Sequence, residues 1–427
     1  MIEASTKPAN PHGLTGTFNM LSPAARVLVI NQFFISCGFT MVVPFLAIYL
    51  TKDLGMATAL VGLIIGLRSF SSMGMFLVGG TLADRMGARP TIILGCMLRI
   101  MGFGLFALSA SLPAIIIATL LTGLSAAFFT PAGRSYLAAE TAGHRAEAFG
   151  LFAIAGNAGN LIGPVIGGML IAVDFRIVSA SACVIFVILA LIQVVFLPER
   201  VMERSVNSLF QDLARVVRNR RFLIFSIAGA LYTMSSLQVT FAMALEAHRV
   251  TGRDDSVTLL FIASALCGMA IQVRITRWCR ANMTSGQSLG LGFVLAGLCW
   301  IPIILAGPFV PTHHTPLPIP QAALWMTPVI LSAMILAAGN AMGQPFTMEL
   351  MPVVGSERMI GTYYGYYSLI TGLSAAVGNA AIGAMMRPEI PYLRWMPFVM
   401  LMVCSLAGAA LLRIMQKRGL LEPNAAA

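Results

Sequence analysis

Two arginines, Arg68 and Arg99, lie inside long apolar runs of this 427-residue chain. A charge at the centre of a bilayer costs at least ~2.5–3.5 kcal/mol, so each must face a polar cavity or a partner. The usual apparatus of catalysis is missing around them. No Ser/His/Asp set, phosphate-cradling glycine loop or zinc-ligand spacing occurs. The five histidines, His12, His144, His248, His313 and His314, fall in predicted loops or at the ends of apolar runs, and His313-His314 reads as a solvated loop rather than a metal site. The seven cysteines lack CxxC spacing and read as small packing residues. An enzyme on this chain would need ionisable clusters at membrane depth, and only the two arginines lie there. No enzymatic activity, cofactor or metal is therefore expected.

A second set of polar residues dots the apolar runs: Asn31, Gln32, Asn157, Asn160, Tyr232, Gln238, Asn340, Gln344 and Tyr366. Any one of them is explained by a hydrogen bond between helices. Together with Arg68 they predict a polar-dotted apolar cavity that takes a small-molecule substrate. A cavity with a buried cation and no central acid suits neutral or anionic amphiphiles better than cations.

The elements that position these residues follow from composition. The chain is 58% hydrophobic and 10% charged, with a mean hydropathy of +0.86. Soluble domains carry about 25% charged residues, so membrane lipid is the expected solvent. The net charge of +11 does not point to nucleic acid, because the basic residues sit singly or in small clusters at the ends of apolar runs. Runs long enough to span fall at roughly 25–50, 57–79, 90–110, 112–133, 147–172, 176–197, 222–247, 256–275, 286–309, 320–345, 362–385 and 394–414. They lack the alternation of a barrel strand, so an all-α membrane protein is predicted: twelve transmembrane helices in two six-helix pseudo-symmetric halves.

Nineteen of the 27 Lys and Arg residues fall on the side of the termini and six on the other. This bias predicts that both termini are cytoplasmic. The domain reading is a polar cytoplasmic tail at 1–24 with no cleavable signal peptide, a first half at 25–197, a linker at 198–221, a second half at 222–414 and a tail at 415–427. In the linker, Leu209, Leu213, Val216 and Val217 recur at helical spacing beside four arginines, as in an amphipathic helix on a membrane surface.

Three motifs carry a resemblance to a known family. Gly80-Thr-Leu-Ala-Asp84-Arg85-Met-Gly87-Ala-Arg89, between spans 2 and 3, resembles the major facilitator loop signature G-x-L-A-D-R-x-G-R-R. Here Gly80 would admit a close helix and Asp84 would meet a helix N-terminus. Arg85 and Arg89 would pair with acids such as Glu140, forming a latch on the side of the termini. Gly159-Asn-Leu-Ile-Gly163-Pro164-Val-Ile-Gly167-Gly168, in span 5, is similar to the antiporter signature g-x-x-x-G-P-x-x-G-G, whose glycines make a smooth packing face. Gly38-Phe-Thr-Met-Val-Val-Pro44, in span 1, is similar to the G-x5-P pattern of twelve-span drug/proton antiporters. Over nearly its whole length the chain resembles that branch of the major facilitator superfamily, and within it the MdtH-type multidrug-resistance proteins.

The resemblance implies multidrug-type export of amphipathic compounds across a bacterial inner membrane, driven by inward proton flow, by a protein expected to be monomeric. It also implies that span 2 borders the central cavity and span 3 does not, which makes Arg68 the better substrate contact and leaves Arg99 to bond within its own half. The chain departs from the pattern where relatives carry acids: it has Asn31 in span 1, no acid near Ser264 in span 8 and Gln344 before the span 10 proline. Its remaining acids near the membrane, Glu140, Glu147, Glu246 and Glu349, stand towards span ends. The alternative reading is a dedicated carrier or exporter of one neutral or anionic metabolite, such as a siderophore or organic acid.

Overall fold

Lipid offers no partner for backbone N–H and C=O groups, so each apolar run must satisfy its own as a helix. The structure, a computed structural model, describes residues 18–141, 145–198, 216–310, 315–355, 360–386 and 395–421, without the side chains of residues 84, 145–147, 360 and 361. Among the described residues are twelve helices long and apolar enough to cross a membrane. In the first half these are α1 (Pro23–Asp53), α2 (Thr58–Ala83), α3 (Ala88–Leu108), α4 (Leu112–Glu140), α5 (Ala148–Ile171) and α6 (Phe175–Phe196). In the second half they are α7 (Arg220–Thr251), α8 (Asp255–Asn282), α9 (Ser285–Ala306), α10 (Ile319–Val354), α11 (Thr362–Met385) and α12 (Met396–Lys417). Side chains such as Leu108, Met169 and Val195 point outward and are mostly exposed, as lipid-facing residues are.

Some boundaries move. The predicted tail 1–24 ends earlier, because Leu21 is buried and Ser22 caps α1 by accepting from the Ala25 N–H at 3.2 Å. Helix α12 runs past the predicted end at 414, to Lys417. Most of the predicted amphipathic linker, 199–215, lies outside the described residues, as do His12, His144, His313 and His314.

The bundle has a terminal face, which carries the start of α1, the end of α12 and the α2–α3 turn, and a distal face. The first helix of each half breaks near the middle of the bundle. In α1 the regular helix stops at Thr40 and resumes at Val43. Thr40 is the residue whose carbonyl Pro44 would clash with, and Pro44 cannot donate to it. In α7 the break is a 3-10 turn at Gln238–Thr240. The distal segments, Val43–Ile48 and Ala242–Thr251, pack on one another and close the distal face.

The two halves meet differently on their two sides. Helices α2 and α11 run in contact from the distal end almost to the terminal face. Thr58 Oγ1 donates to the Met386 carbonyl at 2.7 Å, Gly62 lies against Asn379 and Gly383, Gly66 against Ala376, Gly74 against Gly372, and Gly365 against Leu77. Helices α5 and α8 meet near the distal end, where Thr258 Oγ1 donates to the Pro164 carbonyl at 3.3 Å and Gly168 lies against Thr258.

Candidate functional site

Between the halves, beneath the distal closure, lies a cavity of about 370 Å³. Helix α1 lines it with Gln32, Ser36, Phe39, Thr40 and Pro44; α2 with Arg68, Ser69, Ser72 and Met73; α3 with Arg99; and α4 with Phe129, Thr130 and Arg134. Helix α5 adds Phe152 and Asn160, and the second half adds Leu237, Thr240, Phe261 and Asn379. Both helix breaks therefore reach the wall. Among the described residues, three arginines and no aspartate or glutamate line the cavity.

Arg68 and Arg99 share one aromatic ring. The Arg68 guanidinium carbon lies 5.3 Å from the Phe39 centroid and that of Arg99 lies 5.8 Å from it. Arg99 is also 5.6 Å from Phe129 and 5.0 Å from Phe186, and its Nε donates to Ser125 Oγ at 3.0 Å. Rings of this kind attract a cation by roughly 0.5–2 kcal/mol, which offsets only part of its desolvation. Arg68 Nε and Arg99 Nη1 are buried with no hydrogen-bond partner among the described residues. Both arginines thus bring positive charge to a cavity with no carboxylate among its described lining residues.

A polar relay ties this site to the inter-helix seam. Gln238 Nε2 donates to Asn379 Oδ1 at 2.9 Å, and Asn379 Nδ2 donates to Ser69 Oγ at 3.4 Å, one residue from Arg68. The relay joins α7 and α11 of the second half to α2 of the first.

The other polar candidates are placed as follows. Gln32, Arg68 and Asn160 line the cavity, and Gln32 Nε2 donates to Ser36 Oγ at 3.1 Å. Gln238 stands behind the wall, bonded to Asn379. Tyr232 and Asn340 do not line it: the Tyr232 hydroxyl donates to Asn340 Oδ1 at 2.6 Å, and its ring stacks on Phe293 with centroids 4.3 Å apart. Tyr366 is buried beside Phe222, while Asn157 and Gln344 are exposed outside the cavity. Asn31 is buried, with neither amide atom bonded among the described residues. Arg99, expected to bond within its half, bonds to Ser125 there and also lines the cavity, beside Phe39, Phe129 and Phe186.

Near the end of α2, Gly80 does not admit a close helix: a Cβ there would meet nothing within 4 Å. Its neighbour Gly79 lies against the Ala127 carbonyl of α4 instead, since one residue along a helix turns the face by about 100°. Gly87 takes φ +94°, a left-handed conformation that favours glycine, and it separates α2's extension from α3. Arg85 is exposed, Arg89 Nη2 donates to the Val194 carbonyl at 2.8 Å, and Glu140 Oε1 accepts from Ser22 Oγ at 2.7 Å. The Asp84 side chain lies outside the described residues. In α5, Gly159, Gly163 and Gly167 lie against the α1 backbone and Gly168 against Thr258 of α8, while Pro164 stays within the helix.

On the distal face an ion pair crosses between the halves. Lys52 Nζ lies 2.8 Å from Asp254 Oδ2, and His248 Nε2 lies 3.1 Å from Asp254 Oδ1. Burial pushes the Asp254 carboxyl up, but the hydrogen bonds and charges of His248 and Lys52 outweigh it and hold the group below the usual carboxylate range.

Twelve membrane-length helices among the described residues, enclosing a cavity between two halves, are the architecture of a membrane transporter. The chain belongs to the Major Facilitator Superfamily, whose sequence profile matches residues 28–379. It is 37% identical to an uncharacterised MFS-type transporter of Mycobacterium tuberculosis, over 93% of this chain and 94% of the relative. It is 27% identical to the multidrug resistance protein MdtH of Yersinia enterocolitica, over 89% of this chain and 92% of that protein. Among solved structures, a peptide transporter POT in complex with sulfate superposes with a TM-score of 0.77 at 16% identity, covering 97% of this chain and all of that one. The last likeness is one of fold.

Proposed function

We propose that this transporter exports small amphipathic molecules, anionic ones above all, by alternating access from the cavity between its halves. The observation that carries this reading is the pair Arg68 and Arg99 on the ring of Phe39, each with a donor unsatisfied among the described residues, in a cavity with no acid among its described lining residues. The apolar wall of Phe39, Phe129, Phe152, Leu237 and Phe261 supplies the surface for the rest of the molecule. The positive-inside bias favours assigning the terminal face to the cytoplasm of a bacterial inner membrane. The cavity then opens inward, which is the state in which an exporter loads. The MdtH relatives favour a multidrug range of substrates.

Proton flow is retained as the driving reaction, through acids outside the cavity. Glu246 is ion-paired with Arg249 at 2.5 Å near the distal face, and Glu349 lies 3.5 Å from Arg280 at the terminal face. Transport into liposomes that ignores an imposed pH gradient would remove the antiport. The anion site is tested by binding of 4-butylbenzoate and its uncharged amide to protein in nanodiscs. A hydrogen bond to a charged group contributes about 1.5–3 kcal/mol, so Arg68→Ala should weaken the benzoate roughly 10- to 150-fold and the amide little. Equal binding of acid and amide by the unaltered protein would overturn the reading.

A further inference from the structure

A third cation lines the cavity, and the pair on Phe39 leaves it unused. Arg134 of α4 shares the cavity with Arg68 and Arg99 but stands at a different depth. Helix α4 runs from the distal face to the terminal face. The ring of Phe129 lies 5.6 Å from the Arg99 guanidinium carbon and so marks the level of the buried pair. Arg134 follows Phe129 by five residues, about 7.5 Å further towards the terminal face. On α2, which runs the same way, Met73 follows Arg68 by the same interval. The cavity therefore has two levels. The inner one holds two buried guanidinium groups on an aromatic ring. The outer one holds Arg134, exposed at the mouth, with the apolar side chain of Met73 in the same wall.

We infer that the cavity takes a two-headed anion, a molecule with acidic groups at both ends of a short apolar or aromatic spacer, and that Arg134 selects the second head. This rests on the anion reading above and adds the substrate class. One head meets Arg68 and Arg99, and the other meets Arg134 at the mouth. Charge balance sets the preference. Arginine stays protonated in a protein, so the described lining carries three positive charges and no negative one. A single carboxylate compensates one of the three, and a second carboxylate leaves only one. The planar fork of a guanidinium also matches a carboxylate with two parallel N–H donors, which a neutral head of the same shape does not reward equally. The cavity of about 370 Å³ is near the lower end of the ~300–1,000 Å³ of ligand pockets, so it suits a ring with two heads better than a long chain. Water and salt screen the exposed Arg134 more than the buried pair, so Arg134 supplies discrimination at the mouth rather than most of the affinity.

The test measures dissociation constants for full-length protein in nanodiscs. The probes are ω-(4-carboxyphenyl)alkanoates with a spacer of one to four methylenes, and their half-amides, in which the alkanoate carboxylate is a carboxamide. The expected result is that at least one diacid binds about tenfold tighter than its half-amide. Arg134→Gln should bring the two within about twofold of each other, with the loss falling on the diacid. Arg134→Lys, which keeps the charge and loses the planar fork, should show an intermediate preference. The proposal is overturned if no diacid is preferred, if the preference survives Arg134→Gln, or if Arg134→Gln weakens diacid and half-amide alike. A preference unchanged in Arg134→Lys overturns it too, so the conclusion does not depend on the glutamine variant folding. In each of these cases the anion site stands as long as 4-butylbenzoate outbinds its amide. Equal binding of those two compounds removes the anion site itself.

Discussion

Opening the distal face must pull α2 away from α11 at their distal ends, and the seam there leaves no room for a methyl group. A Cβ on Gly62 would lie 2.9 Å from the Gly383 Cα and closer still to the Asn379 carbonyl oxygen. Comfortable separations for such atoms are about 3.5–4.0 Å, so Gly62→Ala forces the helices apart by several tenths of an ångström at least. Overpacking of this size costs about 1–3 kcal/mol. Because the strained contact joins the two halves, separating them relieves it, and the whole cost becomes a bias towards the state open at the distal face. That corresponds to a shift of roughly 5- to 150-fold in the conformational equilibrium. Gly159→Ala is a matched control. Its Cβ would lie 2.9 Å from Cys37 N and closer to the Phe33 carbonyl, but both neighbours belong to the same half. It should lower thermal stability without moving the equilibrium. Pulsed EPR between spin labels on the α1–α2 and α7–α8 loops reads the difference as a new population at longer distance in Gly62→Ala alone. Identical distance distributions for the two variants, with similar losses of thermal stability, would refute the seam as a contact broken during transport.

Acid should loosen the distal face by a related route. Asp254 is held below the usual carboxylate range, so the stability its charged form lends to the closed face is fully present above that range and is lost as pH falls through the depressed value. Its side chain and that of Lys52 are 31% and 48% exposed, which limits the ion pair to about 0.2–1 kcal/mol. Asp254→Asn should therefore raise the distal-open population roughly 1.5- to 5-fold in the same EPR experiment and remove its response to acid; an unchanged acid response would assign that response to another group. Tyr232→Phe removes the hydrogen bond to Asn340, which keeps a second donor in Ser236 Oγ at 2.7 Å. About 0.5–1.5 kcal/mol of stability should go, with substrate affinity unchanged, and an altered affinity would place Tyr232 in the site.

The spans were legible because lipid imposes a local rule, about 20 apolar residues per crossing, that can be read without knowing what packs on what. The breaks were legible only in part. Pro44 predicts the one in α1, but nothing as plain marks Gln238–Thr240 in α7. Within a span, facing is set by neighbours far away in the chain, and sequence patterning then fails in a particular way. It found Gln32, Arg68 and Asn160, polar residues that do line the cavity, and could not separate them from Tyr232 and Asn340, which satisfy each other. Ser69 and Asn379 carried no signal, since a serine or asparagine among apolar residues is what any inter-helix hydrogen bond looks like. The glycine faces behaved the same way. The spacing at Gly159, Gly163 and Gly167 announced a close packing surface, whereas the reading at Gly80 was off by one residue from the close approach at Gly79.

Arg99 is the most instructive of these differences, because it turns one buried charge into two. A lone Arg68 in a cavity is consistent with a strut, its charge spread over Phe39. A second guanidinium on the same ring weakens that account, since two like charges 5.3 and 5.8 Å from one centroid repel each other and the ring's attraction must serve both. Among the described residues, nothing acidic lines the cavity to neutralise either one. An apolar residue at position 68 would have relieved the repulsion and the desolvation together, so the pair is costly to the empty protein. The cost becomes intelligible if the missing countercharge arrives with the substrate. An anion would satisfy the donors on Arg68 Nε and Arg99 Nη1 and, through Ser69, Asn379 and Gln238, would be sensed at the seam that Gly62 helps to close.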